Sequence, residues 1–550
     1  MKRIAHSLLL LLLLLVGTTA QAQVPPAGSE FQINTHTTGL QRNPEVDMSP
    51  SGQFVAVWRA QNQDGDGDGV IGQRYDASGN PIGGEFVVNT TTASDQRIPD
   101  VKVHDDGSFV VVWESRLQDG DASTGVFGRR YDSLGGAIGS EFQVPSYTTG
   151  NQDAVSVDGT GQGDFVVVWR SRDEDGDGFG IFGRRFAGNG VAQGSAFLVN
   201  TYTTGDQNAS AVSVDSAGRF VVVWQNRADD GVSSTFSVFA QRYASNGVTL
   251  GGDFQVDTYS IGDQVGMRVD HASNNDDFIV VWQSAAQDGS GGGIYAQRFD
   301  SGGATLGNEL QINTYTTGDQ EAPDIAVQDD GSFHVVWVSA DASGDDGVSS
   351  QQFDSSGTAL GGELQVNTYT PNNQSRPRIG GSGDGEFVVV WQSYLGQDGD
   401  STGSFGQRFA VPPAPDLVVT TLLAPSTADS GETIPVEHTV RNAGDSGTGA
   451  FDVAFRLSAN DICSTLDPLL GTRSIGALAA GADDGASTMV TIPGGTAANT
   501  MHLCVLADDG DDVAESDENN NARGAPIVID ALFADGFESG DTSAWSSAVK

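Results

Sequence analysis

The chain has 550 residues, with 72 Asp and Glu against 27 Lys and Arg, for a formal net charge of −45. Such a balance repels phosphate backbones and anionic lipid surfaces, which excludes nucleic acid as a partner and makes divalent cations natural ones. The 73 glycines and modest hydrophobicity would suit disorder, but the apolar residues recur at fixed spacing.

The chain opens on Met1-Lys2-Arg3, runs apolar from Leu8 to Val16 and reaches Ala20-Gln21-Ala22. A positive start, a short apolar stretch and an A-x-A site predict a secretory signal peptide over 1–22, cleaved before Gln23. The stretch is too short to span a bilayer and no later segment matches it, so no membrane span is expected. The protein is then secreted, extracellular or held at the cell surface.

Residues 30–410 repeat. Tryptophans at 58, 113, 169, 224, 282, 337 and 391 stand 55, 56, 55, 58, 55 and 54 residues apart. Glutamines at 41, 96, 152, 207, 264, 320 and 374 keep the same beat. In the second copy, Pro99–Val103 alternates, and Phe109-Val-Val-Val-Trp113 is apolar on both faces. Val126–Tyr131 and Glu141–Val144 follow, with turn residues between. Four short strands per copy, seven times, predict a seven-bladed β-propeller in which each sheet packs on the next. The last copy stops after its third strand, Ser404–Phe409, while a lone fourth-strand sequence, Glu30–Asn34, precedes the first. Joining the two closes a ring and removes the exposed sheet edges.

Residues that recur in every copy read as architecture. The tryptophans are expected between blades. Arg74, Arg130, Arg185, Arg242, Arg298 and Arg408, replaced by Gln352 in the sixth copy, are expected to stack on a ring or pair with a carboxylate inside each blade. The loops joining second and third strands are acidic. Asp64, Asp66 and Asp68 form one D-x-D-x-D-G triplet, and Asp173, Asp175 and Asp177 form another. Alternate carboxylates round a glycine turn can offer hard oxygens to Ca²⁺, so these six residues are candidate ligands for a structural Ca²⁺. The full EF-hand pattern fails, because its bidentate Glu position falls on Tyr75 or Arg184. The competing reading is a solvated turn.

After a Pro-rich linker at 411–415 the beat stops. Short strands between 416 and 530, among them Glu432–Val440, Phe451–Ser458 and Met501–Asp508, predict an immunoglobulin-like β-sandwich. Asp416-Leu-Val-Val, Val440-Arg-Asn-Ala-Gly444, Phe455–Ser458 with Asp467-Pro-Leu-Leu-Gly471, and the acidic run Asp508–Asn521 fall in order. In them the stretch resembles the CARDB family, a bacterial immunoglobulin-like module linked to cell adhesion. The resemblance implies a non-catalytic accessory or adhesive module and transfers no catalytic residue. Cys463 and Cys504 lie within it and are expected to pair in an exported protein. The final segment, 531–550, is similar to a D-G-F-E-S-G-D tail at the end of many exported Gram-negative bacterial proteins.

Catalytic motifs are wanting. Gly444-Asp445-Ser446-Gly447 spells the letters of a serine-protease site but lies in an inter-strand corner without the matching His or Asp. The reading favours a secreted binding or adhesion protein, its propeller a platform for an extracellular glycan or surface protein. The rival is a polysaccharide hydrolase or lyase using acids in the propeller channel, which would need close carboxylates of unlike pKa.

Overall fold

The structure is a computed structural model that describes residues 23–530, apart from 121–122, 228–234, 273–274, 341–343, 411–413, 445, 511, 517 and 519. The signal sequence, most of the linker and the tail lie outside these residues. The chain divides into two compact units, the first ending at 411.

The first unit is a seven-bladed propeller. Six sheets of four consecutive antiparallel strands run from 41–87, 96–143, 152–198, 207–255, 264–311 and 320–365. The seventh takes three strands from 374–409 and its fourth from Phe31–Gln32, which pairs with Phe405 and Gly406. The first strands of neighbouring blades touch all round the ring, 374–381 meeting 41–48. The expected closure is therefore present.

Apolar runs fold as the second strands because both faces are covered. Seven of the eight residues of Phe109–Arg116 are buried. Each tryptophan sits against the preceding blade: Trp113 shares a cluster with Val55, Val57 and Val70, and Trp58 with Val388 and Val390. Stacked aromatic pairs, such as Phe54 with Tyr75 at 4.6 Å, fill the other end of each blade.

The recurrent arginines correct one expectation. Five of the six reach out of their own blade. Arg130 Nη1 donates to the Gly188 carbonyl at 2.7 Å and Arg185 Nη1 to Ser245 at 2.6 Å, each in the next blade's outer hairpin. Arg74, Arg242 and Arg298 reach Leu134, Gly302 and Ser356 in the same way. The rings are contacted instead by the preceding arginines, Arg129 over Tyr131 and Arg184 over Phe186, each at 5.6 Å. An outer hairpin leaves carbonyls unpaired, and a long cationic side chain from next door satisfies them.

The sixth copy departs for a physical reason. Its neighbour has no outer hairpin, because that strand comes from the N-terminus. Gln352 Oε1 accepts the Val24 N–H at 2.9 Å, so a carboxamide acceptor stands where other blades need a donor. A second belt runs the other way. Fourth-strand acids of one blade accept backbone N–H groups from the loop leaving the blade before. Thr201 N–H reaches Asp253 at 3.1 Å, and Thr368 N–H reaches Glu30 at 2.6 Å across the closure.

The second unit is a β-sandwich. Strands 417–423, 433–442 and 483–491 form one sheet. Strands 427–429, 522–530, 499–507, 451–458 and 469–475 form the other, in that order. One apolar core, including Leu417, Val436, Phe455 and Ile527, lies between them. Cys463 and Cys504 are disulfide-bonded, with Cα atoms 5.5 Å apart, as expected. Ser446 lies in a corner where Asn442 Nδ2 donates to its carbonyl at 2.7 Å.

Candidate binding channel

The first strands of all seven blades line a central cavity of about 700 Å³. Each of these strands bulges at its third residue, where Asn43, Ile98, Ala154, Ala209, Gly266, Ala322 and Arg376 take φ between 42° and 64°. The register with the second strand slips there in every blade. A bulge frees a backbone N–H. Two second-strand side chains collect such groups: Glu114 Oε1 accepts Ala154 N–H at 2.8 Å, and Gln392 Oε1 accepts Asn43 N–H at 3.2 Å.

Beyond the bulge the first strand is the inner edge of its sheet, with N–H groups facing the channel. Aspartates from the preceding blade cap them. Asp47 accepts from Val103 at 2.7 Å, Asp158 from Val214 at 2.6 Å, and Asp270 from Val327 at 2.8 Å. Asp100 accepts from Val157 at 2.9 Å and Asp324 from Ile379 at 3.0 Å. The first three stand six residues after the recurrent glutamine and the other two stand four after it. Copies four and seven place Ala211 with Ser213 and Arg378 with Gly380 at these two positions.

The channel therefore carries charge in two layers. In one, Arg378 Nε sits 2.9 and 2.8 Å from the two Glu45 oxygens, and Arg268 Nε lies 3.6 Å from Asp324. In the other, Lys102 Nζ lies between Asp158 at 2.9 Å and Asp47 at 3.4 Å. Burial raises the pKa of Glu45, Asp47, Asp100 and Asp270. Asp100 is pushed up to about 8, with Glu45 adding to the effect, and Asp270 to about 7. Burial works against the Lys102 ammonium, but Asp158 and Asp47 outweigh it and hold the charge in place. His271 Nδ1 lies 2.7 Å from Ser213 Oγ, and burial lowers its pKa to about 4, leaving a neutral ring on the wall.

None of these wall residues was singled out from the sequence. The signal was available as acids and bases at fixed offsets from the glutamine series in only some copies. The candidate Ca²⁺ ligands lie elsewhere, and the structure does not bring either triplet round one point. Asp64 accepts from Asn89 Nδ2 at 2.7 Å, Asp66 from Ser94 N–H at 3.2 Å, and Asp68 is ion-paired with Arg59. In the other loop Asp175 accepts from Asn200 and Asp177 from Gly205 N–H at 3.2 Å, while Asp173 lies 3.5 Å from Arg172. The two triplets are also out of phase: the matching positive-φ residues are Asn62 and Asp173, so Asp64 and Asp66 correspond to Asp175 and Asp177. Among the described residues, no group of three or more His, Cys, Asp or Glu is arranged to hold a metal ion.

In the sandwich, Asp508 caps Asp512 and Val513 N–H at 3.0 and 2.8 Å, and Glu515 accepts from Leu417 N–H. Asp508 thus serves the backbone of its own loop, and Glu515 ties that loop to the first strand of the sandwich.

Residues 414–525 match the CARDB family model. No curated protein matches the chain. Among solved structures, a protein of unknown function from Dyadobacter fermentans covers 70% of this chain and 99% of its own, at 11% identity and a TM-score of 0.43. The α-L-arabinanase of Penicillium chrysogenum complexed with arabinobiose covers 56% and 94%, at 13% identity and a TM-score of 0.40. The CARDB domain of a Pyrococcus furiosus protein in complex with di-metal ions covers 22% and 96%, at 19% identity and a TM-score of 0.18.

Proposed function

We propose that the protein is an exported binding or adhesion protein whose propeller channel is the ligand platform and whose CARDB domain is an accessory module. The observation that carries this reading is that the copies diverge in charge on the channel wall while the rim repeats. Every channel aspartate named above is fixed by a backbone N–H of the next blade, so the wall presents rigid acceptors beside buried cations. Rigid, pre-organised polar groups suit recognition. The Cys463–Cys504 disulfide supports an oxidising, extracellular setting. The partner is an extracellular glycan or a surface protein.

A second reading, a hydrolase or lyase on polysaccharide, is favoured by one observation. Asp100 holds its proton at neutral pH while Glu45, beside it in the same layer, is paired with Arg378. Unlike carboxylates in one cavity are what acid–base work on a glycosidic bond requires. Incubating the full chain with soluble polysaccharides separates the readings. Retarded migration in a polysaccharide gel without release of reducing ends supports binding. Release of reducing or unsaturated ends, abolished by Asp100→Asn, overturns the binding reading in favour of catalysis. Neither effect, with glycans and surface-protein extracts alike, removes the channel from consideration.

A further inference from the structure

Resting on the channel as the binding platform, we propose that it takes a small ligand carrying both a carboxylate and an ammonium group, an α-amino acid or its equivalent. The carboxylate lies on Arg268 and the ammonium on Asp100. The layer four residues after the recurrent glutamine holds Glu45, Asp100, Ser156, Ala211, Arg268, Asp324 and Arg378 in blade order. Within it Glu45 and Arg378 complete each other. Asp324 gives one oxygen to Ile379 N–H, and its other oxygen lies 3.6 Å from Arg268, beyond hydrogen-bond reach.

Arg268 therefore keeps one hydrogen bond, Nη1 to its neighbour Met267's carbonyl at 3.0 Å. Its side chain is 30% exposed against 12% for Arg378, so its remaining donors face the cavity. A guanidinium carries five N–H donors in a fork that fits a carboxylate. Asp100 is the converse case. It accepts from Val157 and Val101 N–H, and no ion pair among the described residues includes it. An ammonium placed beside Asp100 draws off the proton that burial otherwise keeps there, and the resulting carboxylate offers about four acceptor positions, of which roughly half are open to the cation.

The two partly satisfied groups, Arg268 beside Asp324 and Asp100 without an ion pair among the described residues, belong to the fifth and second blades. On the short arc between them the layer holds Ser156 and Ala211, with Ala154 and Ala209 two residues earlier on the same strands. Small side chains on that arc leave open the space a ligand needs to span from one group to the other. A purely anionic ligand would leave Asp100 unmet, and a purely cationic one would leave Arg268. A zwitterion satisfies both and brings no net charge into an acidic channel.

Titration calorimetry of the full chain with three probes tests this: L-alanine, N-acetyl-L-alanine, which has only the carboxylate, and L-alaninamide, which has only the ammonium. L-alanine is expected to bind at least about 10-fold more tightly than either half-probe. Arg268→Gln should bring L-alanine down to the alaninamide level, and Asp100→Asn to the N-acetylalanine level. The asparagine keeps an acceptor for Val157 N–H, and thermal melting reports whether each variant folds. If Arg268→Gln melts early, Arg268→Lys, which keeps the charge but loses the fork, takes its place. Equal affinity for the three probes, no heat with any of them up to about 10 mM, or L-alanine binding unmoved by both variants overturns the proposal. Glycan or surface-protein binding that persists in that case leaves the channel platform standing and removes only this ligand class.

Discussion

The rim and the channel of the propeller are built by the same 55-residue unit, yet they follow opposite rules. At the rim, arginine donors in five blades meet carbonyl acceptors in the next, and Gln352 departs from that pattern where the neighbouring outer hairpin is missing. In the channel, the capping aspartate shifts between two positions, disappears from two copies, and is interleaved with Lys102, Arg268 and Arg378. Both regions solve the same problem, unpaired backbone groups at a sheet boundary. The rim solves it uniformly, whereas the channel leaves several polar groups only partly satisfied. Repetition marks what holds the ring, and departure from it marks where a partner can act.

The comparison breaks first if the copies are not equivalent. Trp113→Ala and Trp224→Ala each empty a fully buried inter-blade site and should each cost about 3–5 kcal/mol in urea unfolding. A cost confined to one of them would deny the rim its uniformity. Glu114→Gln sharpens the channel side. Burial raises the Glu114 pKa to about 7, with the Ala154 N–H opposing the effect. Because the folded state binds this proton more tightly than the unfolded chain, stability present at pH 4 is lost as pH rises through 7. The variant, which copies Gln392 of the seventh blade, should be about 1–3 kcal/mol more stable than the parent at pH 8 and equal to it at pH 4.

Smaller effects follow at the closure and the bulges. Gln352→Ala and Arg130→Ala should each cost about 0.5–1.5 kcal/mol, since each removes one inter-blade hydrogen bond; a much larger loss at Gln352 would make the closure a weak point. Ile98→Gly relieves a β-branched residue at φ 46°, and a change within about 1 kcal/mol, in the stabilising direction, is expected by thermal melting. Calcium should have the least effect. The loop aspartates already accept hydrogen bonds or pair with arginine, so Ca²⁺ titration of the full chain is expected to give little heat and no rise in melting temperature. Saturable heat would establish Asp64, Asp66, Asp68, Asp173, Asp175 and Asp177 as ligands.

Much of the architecture was legible in the sequence. The tryptophan and glutamine spacings, the doubly apolar second strands and the orphan strand at Glu30–Asn34 together imply seven blades and their closure. The sandwich and its disulfide were equally legible. Directions across a gap were not. Strand periodicity tells which face a residue occupies, but Arg130 reaches a carbonyl 58 residues away in the next blade, which periodicity cannot show. The acidic triplets are hard to read for a related reason, because alternate acids near glycine look alike whether they converge on a cation or diverge to separate donors. The channel residues were hidden by the repeat itself, whose strongest signal draws attention to what the copies share.

The closing strand also has a bearing on mechanics. Phe31 pairs with Gly406, Ala27 N–H bonds the Arg408 carbonyl at 2.8 Å, and Ala410 N–H reaches back to Pro25 at 3.3 Å. The ring is thus latched by the first and last residues of the propeller, antiparallel and side by side. Tension drawn through residue 410 against an anchored N-terminal segment pulls on two chain ends that leave the ladder side by side, so it opens these bonds one after another, starting from Ala410 and Pro25. Tension applied only beyond residue 410 pulls against a ring already clasped. The latch also cannot form until the chain has been made through residue 410, so it joins the two ends of the propeller sequence across its longest separation.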